Sequence, residues 1–196
     1  TVWTVADIEE KLRNTRIAYD AILDVSALEK IDTSGAYLID RALGALEGPG
    51  RAQLAIDGGN LDRVFIHPHG GTLTFKALTV RNGRDRATGF HVAGGGCIAS
   101  GGYVQLYDTT MRDCYAGGEG AYGGALYGYS LTMVRSTLSG NHAYGIHDAA
   151  GTAAFGGAGF VYALHLYDST VSANLADHRD NPGFSSYDIG GAFVAV

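Results

Sequence analysis

The chain has 196 residues, 46% of them hydrophobic, and a formal net charge of −6. That is enough apolar content to bury a substantial core in one large or two small domains. No apolar run is long enough to cross a bilayer as a helix, and three lysines (Lys11, Lys30, Lys76) with no basic block argue against a nucleic-acid partner or an anionic membrane surface.

The first residues, Thr1-Val-Trp-Thr-Val, show neither the basic nor the apolar region of a signal peptide. Ala6-Asp-Ile-Glu-Glu-Lys-Leu-Arg puts Ile8 and Leu12 on one helical face. Asp7, Glu9 and Glu10 lie near its N-terminus, where the helix dipole favours acids. Ala21-Ile-Leu-Asp-Val reads as a short buried strand. Asp32-Thr-Ser-Gly offers capping residues ahead of a second amphipathic helix, Ala36 to Leu46. Two helices and a strand bury too little surface to stand alone. Residues 1–46 are therefore expected to form an α/β segment that caps whatever follows.

This order of strand, Asp-Thr-Ser-Gly turn and helix resembles the STAS domain, nearest to the STAS segment of bacterial lipid-transport permeases of the MlaE type. Trp3-Thr-Val, Leu23-Asp-Val-Ser-Ala-Leu and Ile31-Asp-Thr-Ser-Gly-Ala-Tyr-Leu carry the likeness, over about half such a domain. The resemblance implies a regulatory hydroxyl at Thr33, with Ser34 beside it, and a cytoplasmic setting. On chemistry alone, Asp32, Thr33 and Ser34 cap the helix.

Composition changes sharply near Leu46 to Gly50. Only Gly35 and Gly44 of the 30 glycines precede residue 48, and ten of the twelve tyrosines lie beyond residue 100. Four stretches then align without gaps, beginning at Leu73, Val104, Leu131 and Leu164. In each, apolar and polar residues alternate, as in Leu73/Phe75, Val104/Leu106, Leu131/Met133 and Leu164/Leu166, which predicts half-buried strands. Glycine pairs precede them: Gly70-Gly71, Gly95-Gly96-Cys97, Gly123-Gly124-Ala125 and Gly156-Gly157-Ala158, with Gly190-Gly191-Ala192 near the end. Leu54-Ala-Ile-Asp-Gly-Gly-Asn reads as an earlier coil. Self-similarity near thirty residues predicts a solenoid for 47–196, a right-handed parallel β-helix of about five coils in a mostly-β chain.

Stacking such coils about 4.8 Å apart would superpose equivalent side chains. Asn141 and Asn174 then form an internal amide ladder that Cys114 interrupts. Asp108, Arg135 and Asp168 form an outward column of alternating charge. Cys97 and Cys114 make neither a disulfide framework nor a metal knuckle. Both fall at inward positions, which favours two buried thiols over a bridge.

Leu-Thr-Val-Arg-Asn-Gly, Ser-Thr-Leu-Ser-Gly-Asn and the Gly-Gly-Ala motifs resemble repeats of right-handed β-helix proteins of bacterial surfaces, including autotransporter passengers and the polymorphic outer-membrane type. The resemblance implies an extracellular or outer-membrane setting, at odds with the STAS likeness. It specifies a fold and no single function.

The connections Ala116–Tyr129 and Ala143–Tyr162 vary in length while the strands do not, which points to a binding flank. Tyr107, Tyr127, Tyr129, Tyr162 and Tyr167, with Tyr103 and Tyr144, supply aromatic faces for sugar rings, and Asp108, Arg135 and Asp168 supply charge. The leading expectation is a non-catalytic surface or scaffold module that binds polysaccharide or protein and needs no cofactor. The alternative is a carbohydrate-active or metal-assisted hydrolase. Its zinc or calcium would sit among His67, His69, His142, His147 and Asp148, although their spacing matches no zincin helix or zinc finger. The open end at Phe193-Val-Ala-Val suggests truncation or end-to-end self-association.

Overall fold

The computed structural model describes residues 22–24, 30–31, 45–47, 50–51, 54–68, 70–87, 92–145, 153–178 and 187–195. Among them all regular structure is β-strand. The strands pair in parallel and build four faces of a β-solenoid, A to D, met in that order on each turn. Face A contains Phe65–His67 with Thr72–Lys76, then Ile98–Tyr107, Leu126–Val134 and Gly159–Tyr167. Face B contains Ala55–Asp57, Thr79–Arg81, Thr110–Arg112, Thr137–Ser139 and Thr170–Ser172. Face C contains Arg84–Arg86, Tyr115–Gly118, His142–Gly145 and Leu175–His178, and face D contains Val92–Gly94, Gly120–Tyr122, Ala153–Phe155 and Tyr187–Ile189. Faces C and D are each four strands deep, so four turns are complete.

The register confirms the stacking expected from the repeats. Leu73 pairs with Val104, Val104 with Leu131, and Leu131 with Leu164. Phe75, Leu106, Met133 and Leu166 form the next inward column, and Ile56, Val80, Met111, Leu138 and Val171 the column of face B.

Before residue 47 the described residues are strands of the same sheets. Ile22–Asp24 pairs with Ala45–Glu47, which pairs with Thr72–Lys76, and Lys30–Ile31 pairs with Ala55–Asp57. The helix expected over Ala36 to Leu46 does not include Ala45 and Leu46, which are extended and paired in face A. The rest of the α/β cap, including Thr33 and Ser34, lies outside the described residues.

The interior is divided. Large side chains from faces A and B form one core that includes Phe65, Phe75, Leu106, Met111, Leu131 and Leu138. Ala121, Ala143 and Ala154 from faces C and D form a second, small one. Between them the backbone pinches inward. A Cβ on Gly96 would lie 2.3 Å from the Tyr115 carbonyl oxygen, one on Gly124 2.6 Å from the His142 carbonyl carbon, and one on Gly157 2.4 Å from the Leu175 carbonyl carbon. The turn between faces D and A therefore touches the start of face C on successive rungs, and only glycine permits that approach.

The pinch explains Cys97 and Cys114. The reading as separate thiols is corrected: the two are joined in a disulfide with Cα atoms 5.5 Å apart, both sulfurs fully buried. Sequence placed each residue inward but gave no measure of how narrow the interior is there. Gly83 lies beneath the bridge, where a Cβ would meet the Cys97 sulfur at 2.7 Å. On the following rungs alanine and asparagine replace the cysteines. The Asn141 Oδ1 accepts the Cys114 N–H at 3.0 Å, and the Asn174 Oδ1 accepts both the Asn141 N–H at 3.0 Å and its side-chain amide at 2.8 Å. The amide ladder expected from sequence is thus present. A second ladder was not foreseen: Thr109 and Ser136 receive the next rung's hydroxyls, Ser136 and Ser169, on their backbone N–H groups, each at 3.1 Å.

Gly70-Gly71 does not belong with the other glycine pairs. Ile98 pairs with Phe65, so Val64 stands where Cys97 stands one turn later, and Gly70-Gly71 falls in an insertion that splits face A between His67 and Thr72.

Corners are turned by single residues with positive φ: Ala77, Asp108, Arg135 and Asp168 between faces A and B, and Asn82, Asp113, Gly140 and Ala173 between B and C. The ladder continues through them, as in the bonds from Asp108 N–H to the Val134 carbonyl at 3.0 Å and from Arg135 N–H to the Tyr167 carbonyl at 3.0 Å. The Asp108–Arg135–Asp168 column sits on the first of these corners. Arg135 grips Asp108 with two bonds of 2.9 and 2.7 Å. The Arg135 guanidinium holds the Asp108 carboxyl below its usual value, and Asp108 in turn raises Arg135, with Asp168 adding to the field.

At Asp57 burial opposes ionisation, but three donors outweigh it: the Gly59 N–H at 2.9 Å, the Asn82 amide at 3.0 Å and the Arg81 guanidinium at 2.9 Å. The folded carboxyl is therefore more acidic than the unfolded one. Its contribution is present above the unfolded pKa near ~3.9 and is lost as pH falls through the lower folded value. In urea melts, Asp57→Asn should be less stable than the parent at pH 6, with the gap closing toward pH 2.5. Gly124→Ala should cost about 3 kcal/mol or more, because its neighbours are backbone and cannot step aside. Reducing the disulfide, or Cys97→Ala with Cys114→Ala, should cost about 3 kcal/mol for its loop of that length. Cys97→Ala with Cys114→Asn, which copies the later rungs, should recover about 1 kcal/mol of this.

Candidate functional site

Among the described residues the most exposed tyrosines, Tyr103, Tyr127, Tyr129, Tyr162 and Tyr167, all lie on strands of face A. On its strands the side chains alternate, so Tyr129 and Tyr162 point outward from successive rungs, each about half exposed. Gly128 pairs with Val161 and Ser130 with Ala163, which sets residue 129 directly over 162. The Tyr129 and Tyr162 rings lie 5.9 Å apart, tilted by 36°. One rung earlier the register shifts between Ser100 and Tyr103 by one extra residue, a bulge that the adjoining Gly101-Gly102 accommodates. It sets Tyr103 outward, 5.6 Å from Tyr129 and edge-on to it. Three phenol rings thus form a ladder along the solenoid axis.

Beside the ladder runs a polar column on the same strands. Thr74, Gln105, Thr132 and His165 are in mutual register. They offer hydroxyl, amide and imidazole groups next to the aromatic faces, and the Thr74 hydroxyl reaches the Gln105 Oε1 at 3.4 Å. Pairing to a neighbour on each side holds the strands that carry Thr74, Gln105 and Thr132, whereas among the described residues the segment carrying His165 is paired only with the strand before it.

The other tyrosines proposed from sequence lie elsewhere. Tyr127 belongs to a separate cluster at the turn from face D to face A, stacked on Phe160 at 5.8 Å, while Tyr122 stacks on Phe155 at 4.8 Å. Tyr107 and Tyr167 share an outward column but are separated by Val134. Asp108, Arg135 and Asp168 occupy the corner that ends face A. Asp108 and Arg135 are engaged with each other, so their charge is largely internal to the column.

Among the described residues, the candidate metal ligands His67 and His142 lie on different faces. His67 Nδ1 lies 2.8 Å from the Ser100 hydroxyl on face A, and His142 Nε2 lies 2.9 Å from Asp177 on face C. His178 Nδ1 is 2.7 Å from Asp188. Among the described residues no group of three His, Cys, Asp or Glu side chains is placed to hold a metal ion. His69, His147 and Asp148 lie outside the described residues.

Tyr103 was visible in sequence only as one of many tyrosines. Its place in the ladder depends on the bulge, which a register count alone would have revealed only after alignment of the rungs. Face C holds a second group, in which Tyr144 and His142 meet Arg84 and Tyr115, two residues the sequence did not single out. The Arg84 guanidinium lies 4.4 Å from the Tyr115 ring centre, and His142 is edge-on to Tyr115 at 5.5 Å. Burial raises the Tyr115 phenol above its ordinary pKa, with Arg84 acting in the opposite sense. The structure establishes a parallel β-solenoid with an ordered aromatic flank. Compared with protein-family models, curated proteins and solved structures, the chain matches none.

Proposed function

We propose that this chain is a non-catalytic surface or scaffold solenoid that binds glycan along the Tyr103–Tyr129–Tyr162 ladder of face A. The observation that carries the reading is the ladder itself: three half-exposed phenol rings, one per rung, on hydrogen-bonded parallel strands. Burying large apolar rings is favourable, so leaving three in a row exposed creates a surface with a use for them. A sugar presents C–H edges that suit the negative face of a phenol ring, and its hydroxyls suit the neighbouring column of Gln105, Thr132 and His165. The repeat of the solenoid offers successive contacts to successive sugar units, so a chain lying along the axis is the ligand that fits best.

An exported setting accords with this reading. A buried disulfide forms and persists under oxidising conditions, as outside the cytosol, and surface β-helix proteins are the family the repeats resemble. A protein partner on the same flank is the competing occupant.

The test is affinity electrophoresis of the intact chain through gels containing neutral glucans, mannans, galactans or xylans. At least one should retard the protein, and Tyr129→Ala with Tyr162→Ala should weaken that retardation by about thirtyfold, since each of the two aromatic contacts contributes about 1 kcal/mol. Thermal unfolding should change little, because both rings are exposed. Equal retardation of parent and variant, or no retardation in any gel, would rule the reading out.

A further inference from the structure

Face C presents a different chemistry. Its outward columns, read along the axis, are Arg84, Tyr115, His142 and Leu175 in one line and Arg86, Gly117, Tyr144 and Asp177 in the next. Gly117 leaves a gap in the second line that the Tyr115 ring fills: a Cβ at Gly117 would meet a Tyr115 ring carbon at 2.4 Å. Along the axis the surface therefore runs from two arginines, over Tyr115, to Tyr144, and ends at Asp177, which is engaged by His142 at 2.9 Å. Tyr115 and Tyr144 lie 6.4 Å apart with their planes 37° from each other, a spacing within the span of one ligand lying along the row.

The arginines are what set this surface apart. In a chain of net charge −6, most described arginines have a carboxylate: Arg63 with Asp85, Arg81 with Asp57, Arg112 with Asp113 and Arg135 with Asp108. Arg51 bonds the Arg135 carbonyl. Arg84 and Arg86 have no carboxylate among the described residues. The one acid between them, Asp85, is consumed by Arg63 and by the Gly94 N–H at 2.8 Å. Arg84 Nε is shielded from water with no hydrogen-bond partner among the described residues. Guanidinium groups without a carboxylate partner, set beside aromatic rings, suit a ligand that brings both an oxyanion and a ring face.

We propose that the outer surface of face C binds a glycan bearing oxyanions, carboxylate or sulfate. Arg84 and Arg86 take the anion, and the Tyr115 and Tyr144 rings take the sugar face. The site is independent of the face A ladder and needs neither Tyr129 nor Tyr162.

The experiment is calorimetric titration of the intact chain, at low and moderate salt, with a galacturonate hexasaccharide, a sulfated maltohexaose and unmodified maltohexaose. At least one anionic probe should bind at least tenfold more tightly than the neutral one, and should weaken as salt rises. Binding of only the uronate, or only the sulfated probe, supports the site and identifies its anion. Arg84→Gln with Arg86→Gln should lose about tenfold or more in affinity for that probe, and Tyr144→Ala should lose several-fold. Tyr129→Ala with Tyr162→Ala should leave it unchanged, which separates this site from face A. Because Arg84 packs on Tyr115, Arg86→Glu alone, at an exposed side chain, provides the same reading without risk to the fold. The proposal fails if neither anionic probe outbinds the neutral one, or if the arginine variants bind as the parent does.

Discussion

The structure depends on one close approach: the glycine turn entering face A lies against the backbone that begins face C, on rung after rung. No side chain fits between them at Gly96, Gly124 or Gly157. That contact fixes the shape of the coil. It separates a wide half, which holds the leucines, phenylalanines and methionines, from a narrow half lined by alanine. It also fixes what stands beside it, because a narrow, dry channel accepts only groups that satisfy their own polar atoms. Asparagines do so by bonding upward to the next rung, and the cysteines do so by bonding to each other.

From this follows a division of labour along the axis. Each rung contacts only its neighbours, so stability accumulates as a sum of rung interfaces. The amide and hydroxyl ladders both run in the same direction, each backbone N–H receiving an oxygen from the following rung. Interior rungs bury Leu131, Met133 and Leu138 completely. Their counterparts on the last full rung are less covered: Leu164 and Val171 are partly buried and Leu166 is 43% exposed. The apolar interior is therefore sealed from Ile56 and Phe75 through Leu138 and becomes less covered at the last full rung.

Outside, the same repeat turns a rigid interior into an ordered display. A side chain at a given position recurs one rung away at nearly fixed spacing, so a small choice of residue becomes a row. Face A displays phenols beside neutral polar groups. The corner after it displays alternating charge that is already compensated. Face C displays arginines, phenols and an imidazole, with the nearby acids occupied. Three surfaces with three chemistries share one backbone, and none requires the backbone to move.

Sequence by itself determined the fold class, the rung length and the facing of most side chains. The reason is that strand alternation and a thirty-residue repeat are local patterns, written in consecutive residues. The repeat alone superposes Leu73, Val104, Leu131 and Leu164, and likewise Asn141 with Asn174. What only the tertiary structure decided was distance across the coil and exact register where a rung departs from the pattern. The Cys97–Cys114 bridge required knowing the width of the interior. Tyr103 required the bulge beside it, and Gly70-Gly71 proved to be an insertion despite looking like a corner. Arg84 and Arg86 became notable only when Asp85, their neighbour in the chain, was seen to face Arg63. Each of these depends on residues distant in sequence meeting in space, and a repeat period says which rungs are neighbours without saying how far apart their opposite walls stand.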